Sequence, residues 1–270
     1  MTSAVAVSGP EHNYDFTASV FSPKGRLYQV DYARAAVDRA KPCIGIKTSE
    51  GILLCSLRQA FPLQDPDFTQ KVHIIDRHIV ATGCGLVSDA AQLVRETRKW
   101  TLKYRLEHQE GMPVEAVVST LCDIKQVFTQ RGGLRPWGVS FLVAGYDHDN
   151  GLQLYKTDPG GNFGAFEAAV VGSNSTLIAE SLSQSLHDGV LTASLETAAA
   201  EAVRLLREFG LGGEQEVQGE LQLEVAVVTV GEGGRVSAQV LSRAKVDALE
   251  ARMDRNKPME SSVSAVVLVL

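Results

Sequence analysis

Between Cys43 and Gly85 four short runs rich in Val, Ile and Leu follow one another: CIGIKT (43–48), GILLCSL (51–57), KVHIID (71–76) and HIVATGCG (78–85). Each is broken by polar residues or glycine, so they read as strands, and four in succession make at least two hairpins. Two helical stretches come next. Ser88 is placed to cap the first, with Asp89 in its first turn, and Leu93, Val94, Trp100 and Tyr104 carry it to about His108. Pro113 stands at the first turn of the second, where Val114, Val117, Val118, Leu121, Ile124 and Phe128 recur at helical spacing. The order then repeats. WGVSFLVAGYD, GLQLYKTD and FEAAVVG read as a strand meander with Asn150-Gly151 as a hairpin turn. Ile178, Leu182 and Leu186 line one helical stretch, and Leu195, Ala199, Val203 and Leu206 another. Past the acidic, glycine-rich GLGGEQEVQGE, the runs LEVAVVTV and RVSAQVL form a last strand pair, and AKVDALEARM a last helix.

These strands outnumber what one layer holds. Two antiparallel sheets packed face to face, each covered outside by a helix pair, bury all the apolar faces at once. The expectation is an α+β fold, a four-layer αββα sandwich. One further helix precedes it, at about Leu27 to Arg39. Ser22-Pro23-Lys24-Gly25 carries turn chemistry ahead of it, and Leu27, Val30, Ala33 and Val37 give it an apolar stripe that needs a partner surface. The chain divides into a polar arm at 1–13, one domain at 14–254 and a C-terminal tail at 255–270.

The balance of 44% hydrophobic and 21% charged residues in 270 supports one sizeable core. A net charge of −6, with no Lys/Arg cluster interleaved with aromatics, argues against nucleic acid as a partner. Cys43, Cys55, Cys84 and Cys122 form no CxxC pair and are expected to be reduced and buried. The histidines show no metal-binding spacing, no apolar run is long enough to span a membrane, and no nucleotide loop or GxSxG motif occurs. No metal, cofactor or membrane association is expected. The N-terminus lacks a basic region followed by an apolar core, so cytoplasm and nucleus are the expected locations.

Several segments together resemble the alpha subunits of the 20S proteasome, over about Tyr14 to Leu241. They are Tyr14-Asp15, then Phe21-Ser22-Pro23-x-Gly25-Arg26-Leu27-x-Gln29-Val30-Asp31-Tyr32-Ala33, and Gly85-Leu86-x-Ser88-Asp89-Ala90. Thr129-Gln130, Arg135-Pro136-Trp137-Gly138-Val139, Asp158-Pro159 and Gly172 continue the match. Cys122 to Gln126, Gly132 to Ser140, Gln153-Leu154-Tyr155 and Gly172-Ser173-Asn174 look most like the third alpha type. The resemblance implies the N-terminal-nucleophile hydrolase fold, which agrees with the sandwich reached from element order.

Active members of that fold use a Thr freed at the chain start, whose own amine serves as base. Aligning Gly45 with the early strand glycine of the catalytic subunits puts Lys41 where the nucleophile would stand, and a helix precedes it. Cys43 lies two residues too late. The resemblance therefore implies a catalytically silent subunit that shares a hetero-heptameric ring with six other alpha subunits and stacks on the beta ring. It also implies docking of activators such as the regulatory particle, and passage of unfolded polypeptide through an axial pore. Tyr14, Asp15, Pro23 and Tyr32 match the family's gate cluster, and Lys71 matches the lysine that pairs with an activator's C-terminal carboxylate. The arm of 13 residues could extend roughly 45 Å, ample to lie across a narrow opening. Two departures stand out: Phe16-Thr17 replaces the usual polar or basic pair, and the tail SSVSAVVLVL is apolar where the third alpha type tends to end in lysines. An independent hydrolase and a free-standing adaptor of the same fold are the rival readings.

Overall fold

The computed structural model describes residue 14 and residues 17–61, 63–64, 70–189, 191, 194–210, 220–231 and 234–255. Helix α1 (Tyr28–Asp38) leads into the hairpin β1 (Cys43–Lys47) and β2 (Gly51–Ala60). A second hairpin follows, β3 (Val72–Asp76) and β4 (Ile79–Gly85), then helices α2 (Val87–His108) and α3 (Val114–Gln130). The second half contributes β5 (Val139–Asp147), β6 (Gly151–Thr157), β7 (Phe163–Ala165) and β8 (Ala168–Val171), then α4 (Ser175–His187) and α5 (Leu195–Gly210). It ends with β9 (Glu220–Val230), β10 (Val236–Val240) and α6 (Arg243–Arg255).

Two five-stranded antiparallel sheets result, ordered β10-β9-β2-β1-β8 and β3-β4-β5-β6-β7. Their strands read as near-continuous apolar runs because both faces of each are covered. On β2, Ile52 and Leu54 point into the layer between the sheets, while Leu53, Cys55 and Leu57 meet α4 and α5. On β5, Leu142 and Ala144 enter the inter-sheet layer, while Val139, Phe141 and Val143 meet α2 and α3. The period of two therefore sorts each strand between two cores. All four cysteines are free and buried, as their apolar contexts suggested.

Four local expectations are corrected. Ser88 does not cap α2: the cap position is Leu86, and no side-chain cap hydrogen bond forms there. The helix starts earlier because Leu86 N–H donates to Gly138 O at 2.9 Å, docking the chain onto the start of β5. Pro113 sits one residue ahead of α3, and the first helical N–H, that of Val114, donates to both Asp147 carboxylate oxygens at 3.1 Å. Phe166 to Gly172 does not close the meander. The short edge strand β7 does, pairing Tyr155 with Ala165, while the buried β8 crosses to the other sheet and pairs with β1. Trp100, grouped by spacing with the buried Leu93 and Val94, is 44% exposed with the Lys103 ammonium over its ring.

A single buried carboxylate joins two segments that lie far apart in sequence. Asp89, in the first turn of α2, accepts both Arg135 terminal nitrogens at 2.7 and 2.8 Å and the Gly138 N–H at 2.9 Å. Burial alone would raise this carboxyl, but the Arg135 and Gly138 hydrogen bonds outweigh it and hold it below the usual carboxylate range. Its stabilisation is therefore present above the unfolded carboxyl value and lost as pH falls through the lower folded one. At Gly85 (φ 131°) the backbone passes so close to β5 that an added Cβ would stand 2.1 Å from Gly138 O.

Two measurements check this corner. Asp89→Asn should cost about 1–2 kcal/mol in urea unfolding at pH 7, and the gap to wild type should shrink as pH falls below about 4. Gly85→Ala should cost about 2–4 kcal/mol by the same assay, since it meets both a backbone clash and a disfavoured φ. Wild-type stability in Gly85→Ala would mean that β4 and β5 are free to move apart there.

Candidate assembly, gating and docking face

The turn before α1 closes on itself. Gly25 N–H donates to Ser22 O at 2.8 Å with Pro23 at the second turn position, and Arg26 N–H donates to Ser22 Oγ at 3.1 Å. Arg26 Nε then reaches Asp31 at 2.9 Å, tying the turn to the first helical turn. Val30, Ala33 and Val37 are buried beneath the helix. Arg34, at the edge of that buried stripe, donates to Asp158 Oδ2 at 2.7 Å.

Asp158 is the anchor for that contact. It also accepts Asn162 N–H and Nδ2 at 2.8 and 2.9 Å, closing the turn between β6 and β7. Burial alone would raise the Asp158 carboxyl, but hydrogen bonds from Asn162 and Arg34 outweigh it and hold it below its ordinary value. The fully buried Lys125 of α3 supports the same turn from inside, donating to Thr157 Oγ1 at 2.8 Å, Val139 O at 3.0 Å and Asp158 O at 3.3 Å. Burial pushes Lys125 down to about 8. Gly161 (φ 89°) completes the fit, because a Cβ there would stand 2.8 Å from Cys122 O.

Pro23 and Tyr32 are both exposed, one in the turn and one on α1, and the Tyr28 and Tyr32 rings stack at 6.4 Å. Phe21 is 64% exposed beside them. Tyr14 is half-buried. Asp15 lies outside the described residues, as do the arm at 1–13 and the tail from 256 onward.

Lys71 meets the chain that leaves the other end of α1, at Lys41. Its backbone N–H and that of Val72 donate to Glu224 Oε2 at 2.8 and 3.1 Å, pinning β3 to β9 of the other sheet. Glu224 in turn pairs with the buried Arg58 at 3.0 Å. The half-buried Lys71 ammonium donates to Lys41 O at 2.7 Å and to Leu57 O at 2.9 Å. An ammonium has three donors, and two of these meet backbone carbonyls of this chain. Sequence reasoning marked Lys71 by its match to the family's lysine and missed these acceptors, which arrive from the segment before β1 and from β2. Lys41 itself is a mid-chain residue between α1 and β1, with its Nζ 3.3 Å from Gly210 O.

Comparison with known proteins agrees with this architecture. Residues 37–218 match the family model of proteasome subunits, and residues 14–36 match the N-terminal signature of A-type proteasome subunits. The chain is 38% identical over 248 residues to the proteasome alpha type-4-1 subunit of Oryza sativa subsp. indica, covering 91% of this chain and 97% of the relative. It is 37% identical over 248 residues to the proteasome alpha type-4 subunit of Spinacia oleracea, covering 91% and 96%. Against the proteasome alpha type-4-A subunit of Arabidopsis thaliana the identity is 42% over 195 residues, covering 72% and 77%. With its N-terminal signature on the turn and helix α1 and the family domain running through β1 to β8, this chain belongs to the proteasome subunit family, within its alpha type.

Proposed function

We propose that this chain is a catalytically silent member of the seven-membered alpha ring of the 20S proteasome core. In that role it templates the ring with six other alpha subunits, rests on the beta ring, and helps close the axial pore with its N-terminal arm. Lys71 receives the C-terminal carboxylate of activators such as the regulatory particle. Unfolded polypeptide in transit passes the arm, and the particle works in cytoplasm and nucleus.

The observation that carries the reading is the covered start of β1. A nucleophile of this fold needs a free α-amine as its base, yet Lys41 stands in mid-chain behind α1 with its carbonyl held by Lys71. The exposed Tyr32, mounted on a helix anchored through Arg34 to Asp158, and the exposed Phe21 ahead of that helix suit a neighbouring subunit rather than a substrate. Tyr14, Asp15, Pro23 and Tyr32 form the gate contacts in this reading. The rival, an independent hydrolase, predicts a stable active monomer or homo-oligomer in native mass spectrometry of the isolated chain and of cell extract, and that result would sink the assignment.

Deleting Met1 to Asn13 should raise latent peptide hydrolysis by the assembled particle several-fold; unchanged hydrolysis would show that this arm does not block the pore. Lys71→Ala should weaken activation by a tail-docking partner roughly tenfold, the size of a lost charge-assisted hydrogen bond. Native mass spectrometry of the same preparation should show intact particles. Unaltered activation would remove Lys71 from the docking role.

A further inference from the structure

Lys71 is held at both ends of its side chain, and the holders differ in kind. Its ammonium meets two backbone carbonyls, Lys41 O at 2.7 Å and Leu57 O at 2.9 Å. Its backbone is held by a carboxylate. Glu224, on β9 of the other sheet, takes the N–H groups of Lys71 and Val72 on one oxygen, Oε2, at 2.8 and 3.1 Å. Successive N–H groups of an extended strand point to opposite sides, so their convergence on a single oxygen needs a bend, and the chain bends at Lys71. β3 is the edge of its sheet, next to β4. On the β4 side Lys71 O accepts the Gly83 N–H at 3.1 Å, and the Glu224 carboxylate ties the same residue across to the other sheet.

Glu224 is itself held. Its other oxygen, Oε1, lies 3.0 Å from Arg58 Nε in an ion pair whose side chains are only 13% and 8% exposed. Arg58 also donates to Gln222 Oε1. The β2–β9 register sets Arg58 opposite Gln222 and Ser56 opposite Glu224, so the guanidinium spans two same-face positions of β9. Arg58 follows Leu57 directly, and one short piece of β2 therefore supplies both a carbonyl for the Lys71 ammonium and the cation for the carboxylate behind its backbone. The pairing has an electrostatic consequence: a lone carboxylate this near would repel a second one, and the Arg58 charge offsets it.

We propose that Glu224 and Arg58 are positioning residues for carboxylate capture by Lys71. They do not touch the arriving tail; they preorganise the ammonium that does. This rests on the reading of Lys71 as the docking lysine given above. A lysine at a strand end ordinarily carries the rotamer freedom of a long side chain, which binding must remove. Fixing the backbone at Glu224 and the ammonium at two carbonyls removes that freedom before the ligand arrives.

Two measurements separate the positioning from the docking. In the first, the purified full-length chain is labelled briefly with N-acetoxysuccinimide, and acetylation of Lys71 is read by mass spectrometry against the exposed Lys99 and Lys103 of the same molecule. Wild-type Lys71 should react several-fold more slowly than these references. Glu224→Gln, which keeps the size and removes the charge, should raise the Lys71 rate several-fold and leave the references unchanged. Arg58→Lys, a milder change should the first variant fail to fold, should raise it by less. Unaltered Lys71 rates in the folded variants overturn the proposal, as does a wild-type Lys71 that reacts as fast as the references. In the second, assembled particles are titrated with a synthetic peptide of the regulatory particle's C-terminal residues, ending in a free carboxylate or in an amide. Glu224→Gln should weaken binding of the free acid roughly threefold to tenfold, leave the amide unaffected, and add nothing in a Lys71→Ala background. Equal losses with and without Lys71, or loss on Lys71→Ala but none on Glu224→Gln, overturn this proposal alone. Free-acid binding that survives Lys71→Ala overturns the docking reading, and this proposal with it.

Discussion

Gly45 on β1 faces Leu54 and Leu154 so closely that a Cβ there would stand 2.9 Å from a Leu154 methyl and 3.0 Å from one of Leu54. That contact marks the layer on which the structure depends, the dry interface between the two sheets. Ile52, Leu54, Leu142, Leu154, Ala226 and Val228 fill it without exposure, and their burial removes apolar area that no single sheet could cover. Once the inner faces are committed to each other, the outer faces must find helices. The helix pairs α2–α3 and α4–α5 are the remaining amphipathic surfaces among the described residues, and α6 adds Val246 to the second.

The segments that resemble the family separate in sequence and converge in space. Asp89 and Arg135 lie 46 residues apart, yet they share a two-armed ion pair that sets the start of α2 against the start of β5. Arg34 reaches 124 residues along the chain to Asp158, and Lys125 holds the same turn from the core. These polar ties lie where helices and turns meet sheet ends, where apolar packing leaves direction undecided. They fix how α1 leaves the body of the domain, and α1 in turn delivers a covered chain, rather than a free amine, to the start of β1.

Much of this was legible from periodicity. The strand runs between Cys43 and Gly85, the stripe of α3 and the paired helices of each half stand where spacing put them. The misses share a cause. Ser88 has capping chemistry, but the chain there is docked by a backbone hydrogen bond from Leu86 to Gly138. Phe163-Gly164-Ala165 is too short to announce a strand, and it becomes one only because Tyr155 to Thr157 offers an edge. Phe166 to Gly172 carries the stronger apolar signal, yet nothing local says which sheet it joins. For the candidate site, sequence marked Pro23, Tyr32 and Lys71 by motif, whereas the acceptors of the Lys71 ammonium come from the segment before β1 and from β2.

By itself the amino-acid sequence determined the elements, their order, the four-layer class and the mid-chain place of Lys41 ahead of β1. Each of these follows from local spacing and chain continuity. The tertiary structure decided the sheet that receives β8, the carboxylates that hold α1 and α2, and the placing of Lys71 against Glu224 and its partner Arg58. Those are encounters between residues on different strands, and they depend on the register and approach of two twisted sheets. No local pattern carries that information, because the contacts are settled only when both sheets are packed together.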